Sequence, residues 1–184
     1  MKSTRPIRCT WTGRRSRTFG PAATTTPGAA YERAFAIESE AKGSLVYSAI
    51  PFLYARQFDE ARRSLESARG PGTQSRAAPA SLALLTALEG KFQESEGAIP
   101  PDTREMEKFR DAHTAFYAFA SIFALQDKSG EAVRWLRKAV ETGMPDYPLF
   151  ARDPNLARVR ASAGFVQFMA ELKPRYEAMD REFR

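Results

Sequence analysis

Few residues of this 184-residue chain could do chemistry by type and spacing. There is one His, His113, and one Cys, Cys9. His113 stands in a charged helical run with Lys108, Arg110 and Asp111. A general acid or base needs a partner that orients it and a substrate pocket around it. The sequence offers His113 neither, so it reads as a surface or capping residue. Cys9 lies among arginines in a segment without apolar period, where an inert exposed thiol is expected. One Cys and one His cannot build a Cys/His zinc site, and one Cys cannot form an intrachain disulfide. Gly70-Pro71-Gly72 is not a phosphate loop, because no Lys-Ser/Thr follows it and no strand precedes it. Glu94 with Glu96, and Asp180 with Glu182, read as solvated charge. No catalytic residue, metal ligand or cofactor is expected, and the chain is not expected to be an enzyme.

Charge says more by position than in total. Lys and Arg number 28 against 22 Asp and Glu, a net charge of +6. Residues 1–31 hold Lys2, Arg5, Arg8, Arg14, Arg15 and Arg17 and no acid, so residues 32–184 are electrically balanced. A pI near 9.7 therefore describes a tail and not a nucleic-acid-binding domain. Residues 1–29, rich in Arg, Thr, Pro and Gly, read as a disordered basic tail. Alternatives for it are non-native residues from an upstream start, an organelle transit peptide, or an arm for nucleic acid or anionic surfaces with Trp11 and Phe19 among its arginines. The longest apolar runs, 45–54 and 77–88, fall short of the ~20 residues a bilayer needs. The first 20 residues lack the apolar stretch of a secretory signal, so a cytoplasmic location without membrane contact is expected.

The elements that would position any site are helices. Residues 116–143 read as two helices back to back. Phe116, Phe119, Ala120 and Phe123 make one stripe, and Ala132, Val133, Leu136, Ala139 and Val140 another. Asp127-Lys128-Ser129-Gly130 supplies the turn, and Gly143 a left-handed stop. Neither helix can bury its stripe alone. Upstream, Leu45, Ala49, Phe52 and Leu53 form a face, and Phe58, Ala61, Leu65 and Ala68 the next, up to the break at Gly70-Pro71-Gly72. A weaker pair follows, from Leu82, Leu85 and Leu88 through Phe92 to Pro100-Pro101. Asp102 and Glu105, at capping-box spacing, predict one long helix over 103–126. Asp153-Pro154 predicts a helix start. Phe165, Phe168, Met169, Leu172 and Tyr176 predict a terminal helix that Pro174 should kink or restart. Before all of these, Tyr31, Phe35 and Ile37 open a short segment that ends at Lys42-Gly43, an N-terminal cap or the remnant of an earlier repeat. No strand pattern is present.

An internal period runs through these pairs. Phe58 and Phe92 are 34 residues apart, and the small residues Ala61, Ser95 and Ala132 follow at 34 and then 37. A small residue lets two helices approach, and a bulky one a turn later fills the groove.

These positions resemble the tetratricopeptide repeat. Phe58, Ala61, Leu65 and Ala68 match its second-helix pattern. Leu45, Ala49 and Phe52, like Phe116, Ala120 and Phe123, match the order of its first helix. The middle repeat departs from the pattern at Pro79 and Thr86. GEAVRWLRKAVETG, with Tyr147-Pro148-Leu149, Asp153-Pro154-Asn155-Leu156, Val159-Arg160 and Phe165, is similar to the closing repeat of many bacterial tetratricopeptide proteins. The resemblance implies an all-α fold over 30–184: a short right-handed solenoid of about three helical hairpins with a C-terminal capping helix. It implies a non-catalytic protein-interaction or scaffold module. The alternative is a C-terminal assembly or regulatory fragment of a larger protein, whose catalytic or DNA-binding domain is absent. In the family the first helices line a groove for a peptide or partner helix. Carried over, those positions are Val46, Ile50 and Leu53, then Ala80, Leu84 and Ala87, then Thr114, Tyr117, Ser121 and Ala124. They are apolar or small, which suits an amphipathic segment of a protein partner and not an acidic tail held by a carboxylate clamp. The competing expectation is that the chain's own terminal helix, through Phe165, Phe168 and Leu172, covers that surface. Three repeats are near the minimum for a stable solenoid, so a homodimer through the N-terminal end is also expected.

Overall fold

Eight α-helices and two short 3-10 helices, with no strand, make up residues 45–69 and 75–182, the residues described by a computed structural model. The helices are α1 (Leu45–Tyr54), α2 (Phe58–Ala68), α3 (Ala77–Leu88), α4 (Phe92–Gly97), α5 (Ala112–Leu125), α6 (Ser129–Glu141), α7 (Tyr147–Arg152) and α8 (Ala163–Glu182). The 3-10 helices are Met106–Lys108 and Pro154–Val159. The all-α expectation holds. The basic tail, the segment opening at Tyr31 and the Gly70-Pro71-Gly72 break lie outside the described residues.

One turn joins α1 to α2, α3 to α4 and α5 to α6. Each has a residue in the left-handed region: Arg56 at φ 56°, Gly90 at φ 86° and Asp127 at φ 61°. The next N–H reaches back to the carbonyl five residues earlier, Gln57 to Phe52 (2.9 Å), Lys91 to Thr86 (3.1 Å) and Lys128 to Phe123 (3.0 Å). This closes the end of the first helix, whose last carbonyls have no partner within it. The following residue then opens the second helix. Gln57, Lys91 and Lys128 share nearly one backbone conformation, with φ between −84° and −90° and ψ between 63° and 74°. Four residues on stand Ala61, Ser95 and Ala132, all fully buried. Ser95 keeps its hydroxyl satisfied by donating to the Ala83 carbonyl at 2.7 Å. The 34- and 37-residue steps are thus steps of backbone geometry as well as of side-chain size.

The main core lies between α3 and α8. Phe116 stacks on Trp135 at 5.7 Å and Phe119 meets the same indole edge-on at 5.1 Å, which locks α5 to α6. Ala132, Val133, Leu136, Ala139 and Val140 are all buried. Around the first hairpin two smaller clusters form. One joins Val46, Ala49, Leu65, Ala68, Ala77 and Ala78, the other Leu53, Ala61 and Leu85. At the far end α8 packs on α6 and α7. Arg137 bonds Glu171 at 2.7 Å there and lies over the Phe168 ring.

Two local expectations are corrected. The long helix over 103–126 is two pieces: after the 3-10 turn Phe109 is extended (ψ 143°), and α5 starts at Ala112. The capping box does not form. Asp102 accepts from the Arg104 N–H at 3.0 Å and pairs with that residue's guanidinium, while Glu105 pairs with Lys108. The break turns Asp111 towards the start of α3, where it accepts from the Ser75 hydroxyl (2.7 Å) and from the N–H groups of Arg76 (2.9 Å) and Ala77 (3.0 Å). Helix α3 is therefore capped by another element. Pro174 does not restart the last helix: α8 runs from Ala163 to Glu182 through it. Pro174 and Ala170, whose carbonyl loses its helical donor, are both on the exposed side, where water takes that carbonyl.

Candidate functional site

The positions expected to line a groove are carried by α1, α3 and α5, and the strap formed by α7 and the second 3-10 helix decides what they can do. Phe150, Leu156 and Val159 of this strap are fully buried, and the 3-10 segment packs along α5. Tyr117 stacks on Phe150 at 5.6 Å with the rings 20° apart. Of the residues expected to line a groove, Val46, Leu53, Leu84, Thr114, Tyr117 and Ser121 are buried. Val46 and Leu53 belong to the small clusters of the first hairpin. Leu84 and Tyr117 belong to the main core. The Ser121 hydroxyl bonds back to the Tyr117 carbonyl at 3.0 Å. Ile50 alone is half-buried, with Tyr47 (40% exposed) and Tyr54 (43%) beside it on α1. The structure thus spreads four of these seven residues, Val46, Leu53, Leu84 and Tyr117, over three clusters and leaves Ile50 half-exposed. Cover over α5 comes from the strap, while α8 lies on α6 and α7.

At the centre of this surface lies Asp153, only 3% exposed. Its side chain starts the 3-10 helix by accepting the Asn155 N–H at 2.7 Å, as the Asp153-Pro154 pair predicts. The same carboxylate also accepts from two phenols, Tyr54 of α1 and Tyr117 of α5. Arg160 closes the loop by donating to the Asp153 carbonyl. Burial pushes the Asp153 carboxyl above its ordinary value, against the Tyr54 bond, the Asn155 N–H and the Arg160 charge. Enclosure of its hydroxyl, then the bond to Asp153, pushes the Tyr54 phenol up as well. Thr114 Oγ1, one turn before Tyr117, and Arg160 Nε are buried with no hydrogen-bond partner among the described residues.

Perturbed acids often mark catalytic sites, so the surroundings decide. A cleft of about 150 Å³ lies between α6 and α8, lined by Arg137, Val140, Glu141, Phe168, Glu171, Leu172 and Arg175. A shallow one lies at Gly90–Glu94. Neither is lined by Tyr54, Tyr117 or Asp153. Through these hydrogen bonds Asp153 ties Tyr54 of α1 and Tyr117 of α5 to the start of the second 3-10 helix, as a clasp. His113 is half-buried in the first turn of α5. No group of three His, Cys, Asp or Glu among the described residues is placed to hold a metal ion. No helix among them is long and apolar enough to cross a membrane.

Sequence reasoning placed Asp153 as a helix start and missed the two phenols. The available signal was composition: between Tyr147 and Ala170, Asp153 is the one acid, among Arg152, Arg158 and Arg160. Asp111 was likewise legible only as part of a charged run. The chain matches no family model, no curated protein and no solved structure.

Proposed function

We propose that the chain is a non-catalytic protein-interaction or scaffold module of tetratricopeptide type, a short right-handed solenoid that binds a protein or peptide partner. The recurring turn supports this reading above all: three hairpins with one backbone geometry, stepped by 34 and 37 residues, each with a fully buried small residue at the same place. Such an array builds a continuous surface from local units, and binding is what that surface offers. The strap closes the inner face over the third hairpin. A partner is therefore received at the first-hairpin end, on α1, by Tyr47, Ile50 and Tyr54.

The test is capture of host proteins by the full chain, compared with a Tyr47→Glu, Ile50→Glu variant of unchanged helicity and melting. Loss of a captured partner by the folded variant supports the reading. Equal capture by both removes the α1 surface from it, and no captured partner from either counts against an interaction role.

A further inference from the structure

The first helices of the three hairpins, α1, α3 and α5, hold no Asp, Glu, Lys or Arg. The strap that crosses α5 brings the charge: Arg152, Asp153, Arg158 and Arg160, with none in residues 161–170 after it. Asp153 does not offset these arginines towards solvent. It is buried, and its carboxylate is taken by two phenols and the Asn155 N–H. Arg160 is half-buried and turned inward to the Asp153 carbonyl. Arg152 and Arg158 remain, both exposed and neither in an ion pair among the described residues.

Both stand at the Tyr54 end of α1. Residues three apart share one side of a 3-10 helix. Leu156 and Val159 make its buried side, so Asn155 and Arg158 share another. The Asn155 side chain faces the Tyr54 phenol, which places Arg158 on the side of the strap towards α1. Arg152 directly precedes the acid that Tyr54 holds. From Tyr54, Pro51, Ile50 and Tyr47 run back along α1 at i−3, i−4 and i−7, one helical stripe without charge.

We propose that the partner segment received on α1 is an acidic one. Its apolar side chains lie along Tyr47, Ile50 and Pro51, and Asp or Glu residues at one end pair with Arg152 and Arg158. This rests on the α1 reading given above and adds the chemistry of the partner. Two guanidinium groups beside a charge-free wall project a field that no exposed acid of the strap cancels. Each presents a fork of donors that matches a carboxylate. Nucleic acid fits this surface less well. It carries a charge at every phosphate, whereas the cations here are confined to one end of a neutral stripe.

Panning the full chain against a displayed library of random short peptides tests it. Enriched segments should combine apolar residues with Asp or Glu. A synthetic copy of the most enriched one should bind Arg152→Glu, Arg158→Glu about tenfold more weakly, and its binding to the wild type should fall as salt is raised. Panning that variant should enrich Lys and Arg instead, a gain that damage to the fold cannot produce. Neutral or basic segments from the wild type, an acidic segment indifferent to the reversal, or a library that yields nothing each overturn the proposal. Equal binding of a single-stranded oligonucleotide, with the same dependence on Arg152 and Arg158, overturns it in favour of nucleic acid. Neutral segments that are lost on Tyr47→Glu, Ile50→Glu overturn the acid preference and leave the α1 reading standing. Acidic segments that obey the arginines and ignore that variant take α1 out of the site, and so overturn both.

Discussion

The Tyr54 hydroxyl, from the last residue of the first helix, donates to the Asp153 carboxylate 99 positions later in the chain. The same oxygen takes the Tyr117 hydroxyl, so one buried acid joins the first hairpin, the third hairpin and the strap. This matters because the apolar clusters of the first hairpin are separate from the main core. The clasp is a polar link between bodies that, among the described residues, hydrophobic packing joins mainly through α3.

Removing its parts should therefore cost stability in order of burial. Tyr54→Phe keeps the ring and loses one bond to a charged acceptor, at a cost of about 1.5 kcal/mol. Tyr117→Phe should cost more, since Tyr117 is buried and no water can replace its hydroxyl. Asp153→Ala strands both phenols and the Asn155 N–H and should cost about 3–5 kcal/mol. Urea unfolding of the three variants gives the ranking. Equal small losses would show that the clasp carries no load.

The clasp also gives a pH dependence with a definite sign. Burial holds the folded Asp153 carboxyl above its unfolded value. Between the two values the native state binds more protons, so this contribution is complete below the ordinary Asp value and fades as pH rises through the folded one. Tyr54 from α1, Tyr117 from α5 and Arg160 beyond the 3-10 helix face it, and of these the Tyr54 hydrogen bond and then the Arg160 charge resist the shift. Glu96 works the other way. Its bond to Lys128 lowers it, so its contribution is lost as pH falls through the folded value. The stability advantage of the wild type over Asp153→Asn should be largest below about pH 4 and shrink towards neutrality. Unfolding both proteins across that range at fixed salt measures it. A constant or growing gap would contradict the assignment.

The repeated turns predict opposite responses to glycine. Arg56 sits at φ 56° without the freedom glycine has there, so Arg56→Gly should stabilise by up to about 1 kcal/mol. Gly90→Ala should cost about 1 kcal/mol. A Cβ at Gly90 would meet nothing within 4 Å, so that loss would be backbone strain alone. Thermal melts of the pair decide. Two changes of the same sign would refute the shared geometry.

Capping of α3 by Asp111 predicts a local effect at a distance in sequence. Asp111→Ala should cost about 1–2 kcal/mol. Amide exchange should rise in the first turn of α3, at Ala77 and Ala78, more than in α5, where the residue itself resides. Exchange that rises only around residue 111 would show that the cap is idle.

The fold was legible where side chains repeat. Ala61, Ser95 and Ala132 marked the step, and stripes such as Phe116–Phe123 marked the faces. What escaped was set by partners remote in sequence. Asp111 could have started its own helix as well as capped another, and only packing decides between those uses. The extended backbone at Phe109 follows from that choice, which no local capping rule contains. The residues expected to line a groove were legible as one face of each helix. Their coverage was not, because Phe150, Leu156 and Val159 read as part of a helical tail until Asp153 fixes where that tail lies.

The strap also fixes an order of events during synthesis. Each hairpin closes over contacts local in sequence, and these form quickly. The side of α5 that the strap covers, with Tyr117, must wait for Phe150 and Leu156 to leave the ribosome. Until then the nascent chain shows an apolar strip along its third hairpin, the kind of surface on which unfinished chains associate. A nascent chain whose third hairpin has emerged and whose strap has not would carry that strip uncovered.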